Sequence, residues 1–478
     1  MNKCFYAGVG RSNITPTGGV DLVGTSRRSQ PSVGIHQELL ATCLVLAADE
    51  TRVALVDCDL LAIPDPTARE WRERIGRVIG APAEHVLLGC THTHHAPPTS
   101  PHMPKIGGDQ TRLSDLEQAY FVNLGYQLEN AARLAVERLV PARFAAGRGQ
   151  IALNVNRREQ LDDGQVVLGR NFDAPCDHEV AVLRVDTLDG TPLAAVVTYA
   201  THPLLHPMIR LISPDLAGSA RKVLEKVTGA TALYFTGAAG NVFGLKALTT
   251  DLRVAESVGG QLGAEAARVF LALETQPSEP RVTFLQSVST LKVYESVPVE
   301  RDAITHFGAA TRRLRLALQP LPSLAEAEEV LRERSERIEA LRATGASPDD
   351  INPAIYQELW ARKLVESIRT GTAPTSVEAE IQAIRLDDVA FVAVPGEAFV
   401  EMGLAVKAGS PLRHTFFVAY ANGALGYIPT RDAYPLGGYE VVDAYKGYGF
   451  PAALAPGAAE TIVETCLELL GELVREGA

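Results

Sequence analysis

HVLLGCTHTHHAPPTS, residues 85–100, is the stretch on which the fold turns. An apolar run ends in three histidines within four residues, and a proline pair follows at once. The chain has only eleven histidines among 478 residues, so such crowding asks for a cause. Upstream, TRVALVDCDLLAI (51–63) is a second β-branched, apolar run, and a polar helix-like segment separates the two. Strand, helix, strand in that order points to α/β architecture. Ligands of open α/β folds collect at the C-terminal ends of strands, where these histidines stand. If strand conformation persists through them, His92 and His94 share one face, because side chains alternate with period two.

The same alternation continues along the chain. Residues 114–139 open with Ser114 and carry Glu117 three positions on, a capping box before a helical period. EVAVLRVD (179–186), PLAAVVTYA (192–200) and ATALYFTGAAG (230–240) are predicted strands, and 251–274 is a predicted helix. The segment from Pro320 to Pro374 differs. It is dense in Glu and Arg at helical spacing, with a second capping box at Ser323 and Glu326, and predicts a solvated helical hairpin between strands. Two strand-like runs flank Asp387-Asp388 as a β-hairpin, and 458–477 predicts an amphipathic helix. The expected fold is α/β, elaborated towards α+β, with a mixed sheet flanked by helices. One domain over 1–478 is expected, with a helical insertion at about 320–374.

Hydrophobic residues at 46% and charged residues at 21% suit a globular chain with a substantial core. A net charge of −12 without a long basic run argues against nucleic acid or an anionic membrane as the main partner. No segment reaches the roughly 18 to 20 apolar residues of a membrane span. The six cysteines are scattered, none in a C-x-x-C pair, as expected of buried thiols in a reducing compartment. With no apolar leader at the start, a cytoplasmic location is the expectation. A homo-oligomer is compatible with all of this.

Three further places extend the chemistry. In VVTYATHPLLHPM (196–208) a strand again ends in Thr-His, at His202, with His206 four residues later. In AVPGEAFVEM (393–402) a strand runs into Pro395-Gly396 and presents Glu397. That carboxylate either caps the next helix or completes a two-histidine, one-carboxylate zinc site. In ANGALGYIPTRDAYPLGGYE (421–440), Tyr427 follows a glycine and Tyr439 lies in a glycine-rich loop. No G-x-S-x-G elbow, Walker-type loop or dinucleotide fingerprint competes with a metal site.

Taken in order, these motifs resemble the neutral, non-lysosomal ceramidase family, zinc amidases that cleave the N-acyl bond of ceramides. The matching segments are GVGRSNIT (8–15), GIH (34–36), THTHHAP (91–97), NVNRR (154–158), ATHPLLHPM (200–208), SPDLAG (213–218), GAAGNV (237–242), PGE (395–397) and ANGALGYIPTRDAY (421–434). The resemblance implies Zn2+ held by His92, His202, Glu397 and Tyr427. It implies catalytic roles for His94, Arg157 and Tyr439, and a substrate pocket that includes His36, Asn241 and Phe243. The family's Gly-Asp-x-Ser-Pro segment appears here as GNVFG. Asn241 takes the aspartate's place and Phe243 the serine's, which removes a serine nucleophile from that position. The family's C-terminal immunoglobulin-like domain and secretion signal are not found in the sequence, which shifts the expected substrate from ceramide towards other small N-acyl compounds.

The expected reaction is amide hydrolysis by metal-activated water. Arg157 and Tyr439 would stabilise the oxyanion, and His94, beside the metal but not bound to it, would carry the proton to the leaving amine. A zinc-dependent esterase or lactonase, and a non-catalytic zinc-stabilised binding module, are the alternatives.

Overall fold

The computed structural model describes residues 4–100, 113–286, 291–299 and 304–475. Its largest sheet has eight strands. Across the sheet they run Thr231–Thr236, Pro192–Tyr199, Glu179–Thr187, Val140–Gln150, Phe5–Asn13, Leu40–Ala48, Thr51–Cys58 and Val86–Cys90. Two neighbouring pairs are parallel, Thr51–Cys58 with Val86–Cys90 and Pro192–Tyr199 with Thr231–Thr236. A parallel pair needs a crossover. Helix Asp65–Ile79 supplies the first and helix Asp215–Thr228 the second. The remaining pairs are antiparallel, so the sheet is mixed, as the sequence predicts.

The two ends of this sheet approach each other. The Tyr234 backbone N–H donates to Asp57 Oδ2 at 3.0 Å, and Thr236 Oγ1 donates to the Thr91 carbonyl at 3.0 Å. Arg221 sits buried behind the junction and binds both Asp57, at 2.8 Å, and Asp59. The strand ends that lead to His92 and His202 are therefore brought together by closure of the sheet, not by lying side by side at one edge.

A second sheet of four strands, Phe307–Ala317, Ser376–Leu386, Val389–Ala393 and His414–Val418, packs on the first. Leu55, Leu87 and Phe235 of one sheet share a fully buried cluster with Ile384, Phe391 and Phe416 of the other. Each such side chain contributes roughly 1.5–3 kcal/mol through burial. The turn between the Ser376–Leu386 and Val389–Ala393 strands has Asp387 at φ 48°, which confirms the hairpin expected there. Beyond Val418 the chain docks between the ends of the large sheet. Ala419 N–H donates to Thr236, Asn422 N–H to Leu88, and the Tyr420 carbonyl accepts from Cys90.

Helices Leu324–Ala343 and Pro348–Arg369 form the expected hairpin, inserted between the paired strands Phe307–Ala317 and Ser376–Leu386. The predicted capping boxes at Ser114/Glu117 and Ser323/Glu326 are both made. Helix Ala458–Arg475 carries the predicted amphipathic face, with Ile462, Leu469 and Leu470 buried; positions 476 and 477 of that expectation lie outside the described residues. No helix among the described residues is long and apolar enough to cross a membrane.

Candidate metal centre

The strand carrying the first histidines ends at Cys90, and His92 adopts a left-handed φ of 61°. The period-two expectation therefore fails for His92 and His94. A tight turn brings the two rings together instead, at a centroid distance of 5.0 Å with their planes nearly perpendicular. Gly24 makes this possible. With φ +103° it faces the His94 ring so closely that a Cβ would lie 2.6 Å from Cγ.

His202 follows the Pro192–Tyr199 strand, and Glu397 opens the short strand Glu397–Ala398, which pairs in parallel with Tyr427–Ile428. The Nδ1–H of His92 donates to the Leu61 carbonyl at 2.9 Å, and that of His202 to the Ala239 carbonyl at 2.6 Å. A carbonyl can only accept, so these bonds fix the proton on Nδ1 and leave Nε2 as the ligand atom. Both Nε2 atoms face Glu397 Oε2, at 3.3 Å from His92 and 3.0 Å from His202. The Tyr427 hydroxyl lies 3.4 Å from His202 Nε2, and His94 Nε2 lies 3.4 Å from His92 Nε2. The ligand atoms of His92, His94 and His202 are all within 4.8 Å of one another.

The electrostatics match a cation at this point. Burial, then the charge of Arg157, holds His202 down to about 4, so its ring is neutral at ordinary pH. Burial alone would raise Glu397, but the facing imidazoles of His92 and His202 hold it well below the usual carboxylate range. With Nδ1 of each ring committed to a backbone carbonyl, the Nε2 atoms of His92 and His202 and one carboxylate oxygen of Glu397 converge on one point. A divalent metal resolves that arrangement, and the donor set of imidazoles, carboxylate and phenol fits one.

The centre opens into a pocket of about 300 Å3. Leu61, Ala62, Pro64 and Ala424 form apolar wall, and Tyr356, Tyr427, Tyr439 and Tyr448 bring phenolic edges to it. His94 is half-buried and lines the pocket together with His92 and Glu397, whereas His202, with about 2% exposure, lies behind it. The desolvated site, with His92 and His202 beside it, keeps the His94 pKa well below its ordinary value.

Of the expected site residues, Arg157 and Phe243 pack behind the pocket. The Arg157 guanidinium lies 4.8 Å from the Phe243 ring and 5.3 Å from the Tyr427 ring, and its Nε donates to Glu440 at 2.8 Å. Tyr439 stands at the pocket wall with its ring 5.7 Å from that of Tyr427. His36 and Asn241 are occupied elsewhere. The two ring nitrogens of His36 meet Ser213 and Glu256. Asn241 Oδ1 accepts from Val400 N–H at the start of helix Val400–Gly409, and its amide donates to Glu401. Neither lines the pocket.

Sequence reasoning missed several contributors. The Tyr420 ring stacks on His92 at 4.0 Å, with Tyr420 itself at φ 55°. Tyr448 donates to Glu397 Oε1, and Glu440 binds Arg157 and Arg158 together. Only Glu440 left a trace, a single acid following Tyr439 that could answer the Arg157-Arg158 pair.

With the geometry in view, the comparisons with known proteins decide the family. The family model described as neutral/alkaline non-lysosomal ceramidase, N-terminal, matches residues 5–245, half of the chain. The chain belongs to that ceramidase family. Among curated ceramidases, neutral ceramidase A of Dictyostelium discoideum is 25% identical over 250 residues, which cover 49% of this chain and 34% of that protein. Neutral ceramidase B of the same organism is 25% identical over 238 residues, 47% of this chain and 32% of its own. The matched region thus spans about a third of the curated ceramidases' length. Among solved structures, a ceramidase complexed with C2 superposes with a TM-score of 0.69 at 18% identity, covering 99% of this chain and 76% of that one. The neutral ceramidase from Pseudomonas aeruginosa gives 0.64 at 19% identity, covering 100% and 75%. At these identities the structural likeness is one of ceramidase fold.

Proposed function

We propose that this ceramidase-family chain is a zinc-dependent amidohydrolase that cleaves the N-acyl bond of a small amide. The observation that carries the proposal is the convergence of His92 and His202 Nε2 on Glu397 Oε2 at the foot of the pocket. His92, His202, Glu397 and Tyr427 would hold the ion. Bound there, zinc supplies a water of lowered pKa and a positive charge for the acyl oxygen.

The chain's own groups account for the rest. Leu61 and Ala239 fix the ring orientation of the two histidines. His94, neutral and facing the pocket, accepts the proton of the attacking water and returns it to the leaving nitrogen. The Tyr439 hydroxyl, at the pocket wall, donates to the acyl oxygen as negative charge develops on it. Arg157, held by Glu440 and stacked on Tyr427, adds positive charge from behind. The apolar wall of Leu61, Ala62, Pro64 and Ala424 takes hydrocarbon.

A panel of N-acyl amides, short-chain ceramides and matched esters, assayed before and after chelation, tests this reading. The expected result is amide hydrolysis lost on chelation and restored by zinc. A metal-loaded protein that turns over esters but no amide would transfer the assignment to an esterase.

A further inference from the structure

We infer that Tyr448, together with the inserted helical hairpin that seats it, is a positioning residue for the metal-binding carboxylate of Glu397. The inference rests on the proposed metal centre and concerns a residue outside the ligand set. Glu397 has two oxygens with different surroundings. Oε2 faces the Nε2 atoms of His92 and His202, while Oε1 accepts a hydrogen bond from the Tyr448 hydroxyl at 2.5 Å. That donor occupies the lone pair through which the carboxylate could swing its second oxygen towards the ion. One oxygen is tied back and the other is presented.

The position of Tyr448 is itself built. Its ring lies against Gly426, where a Cβ would come within 2.8 Å of Cδ2, and Gly426 has φ +73°. Glycine at 426 thus both makes the turn into Tyr427 and clears the space that Tyr448 fills. On the other side, the carbonyl of Gly447 accepts from the Tyr356 hydroxyl at 2.8 Å, and that of Phe450 accepts from Trp360 Nε1 at 2.8 Å. Tyr356 and Trp360 belong to helix Pro348–Arg369, the second helix of the insertion. The insertion therefore grips the chain immediately before and shortly after Tyr448. Asp350 of the same helix binds Arg27 at 2.8 Å, and Asp349 accepts from Ser29 N–H, which fastens the helix to the loop that follows pocket residues 23–26. The hairpin joins two strands that already pair with each other, so the sheet does not need it. Its contacts with the centre explain its presence better than surface cover does.

The test compares metal affinity, by chelator competition, in the parent, Tyr448→Phe and Tyr356→Phe, with the visible spectrum of the cobalt-substituted proteins as a second readout. Tyr448→Phe keeps the ring and removes only the donor. The expected result is roughly 10- to 100-fold weaker metal binding, the usual consequence of losing a group that orients a ligand, and a changed cobalt spectrum. Tyr356→Phe is expected to weaken binding in the same direction by less. Parent-like affinity and spectrum in Tyr448→Phe would overturn the inference while leaving the metal centre standing. A folded parent that binds no metal would overturn both.

Discussion

The His202 ring stands between two oxygens: Nδ1–H donates to the Ala239 carbonyl at 2.6 Å, and Nε2 faces Glu397 Oε2 at 3.0 Å. His92 repeats the arrangement with the Leu61 carbonyl. The backbone of two separate loops thus decides which nitrogen is offered. Those loops are held by the junction between the ends of the large sheet, so the fold sets the tautomers on which the proposed metal binding depends.

On the proposed function, a substitution at His94 separates metal binding from proton transfer. In His94→Ala, kcat should fall about 10²- to 10⁴-fold, the range for losing a general acid–base, with metal content at the parental level. Steady-state kinetics beside elemental analysis checks this. Loss of the metal would make His94 a ligand; full activity would remove it from the reaction.

Asn241 is tied to the start of helix Val400–Gly409, next to Glu397 in sequence. Asn241→Ala should cost about 0.5–2 kcal/mol, the range for losing a helix-terminal acceptor, and leave KM unchanged. Denaturant unfolding and substrate titration measure the two effects separately. A raised KM with unchanged stability would restore the substrate-binding role expected from sequence.

Arg221 neutralises two buried carboxylates at the junction of the sheet ends. Replacing it with Met strands Asp57 and Asp59 without a counter-ion, and should destabilise the protein by about 3–5 kcal/mol. The Tyr234 bond to Asp57 should open in consequence. Urea unfolding gives the stability, and amide exchange at Tyr234 reports the junction. Unchanged stability would show that the closure does not depend on this ion cluster.

Much of the fold can be read from sequence because its signals are local. Capping boxes at Ser114 and Ser323, the β-branched runs before His92 and His202, and the charged spacing of the insertion each lie within one segment. What brings the segments together is not local. Nothing near Asp57 announces that its carboxylate will receive the Tyr234 N–H from the far end of the sheet. The left-handed turn at His92 breaks the period-two rule where the chemistry sits, as expected of strained backbone at a functional site. Motif order places Asn241 and His36 in the right neighbourhood but not the direction of their side chains. Tyr448 carries no spacing signal, since its partner Glu397 lies on another loop and Gly426, which admits its ring, reads only as a turn.

The most direct test of the metal centre is elemental analysis, per chain, of protein purified without added metal, with folded His92→Ala and His202→Ala beside it. The expected result is about one zinc in the parent and almost none in either variant, matching an ion held between His92, His202 and Glu397. A folded parent without metal, or variants that keep the full complement, would contradict it.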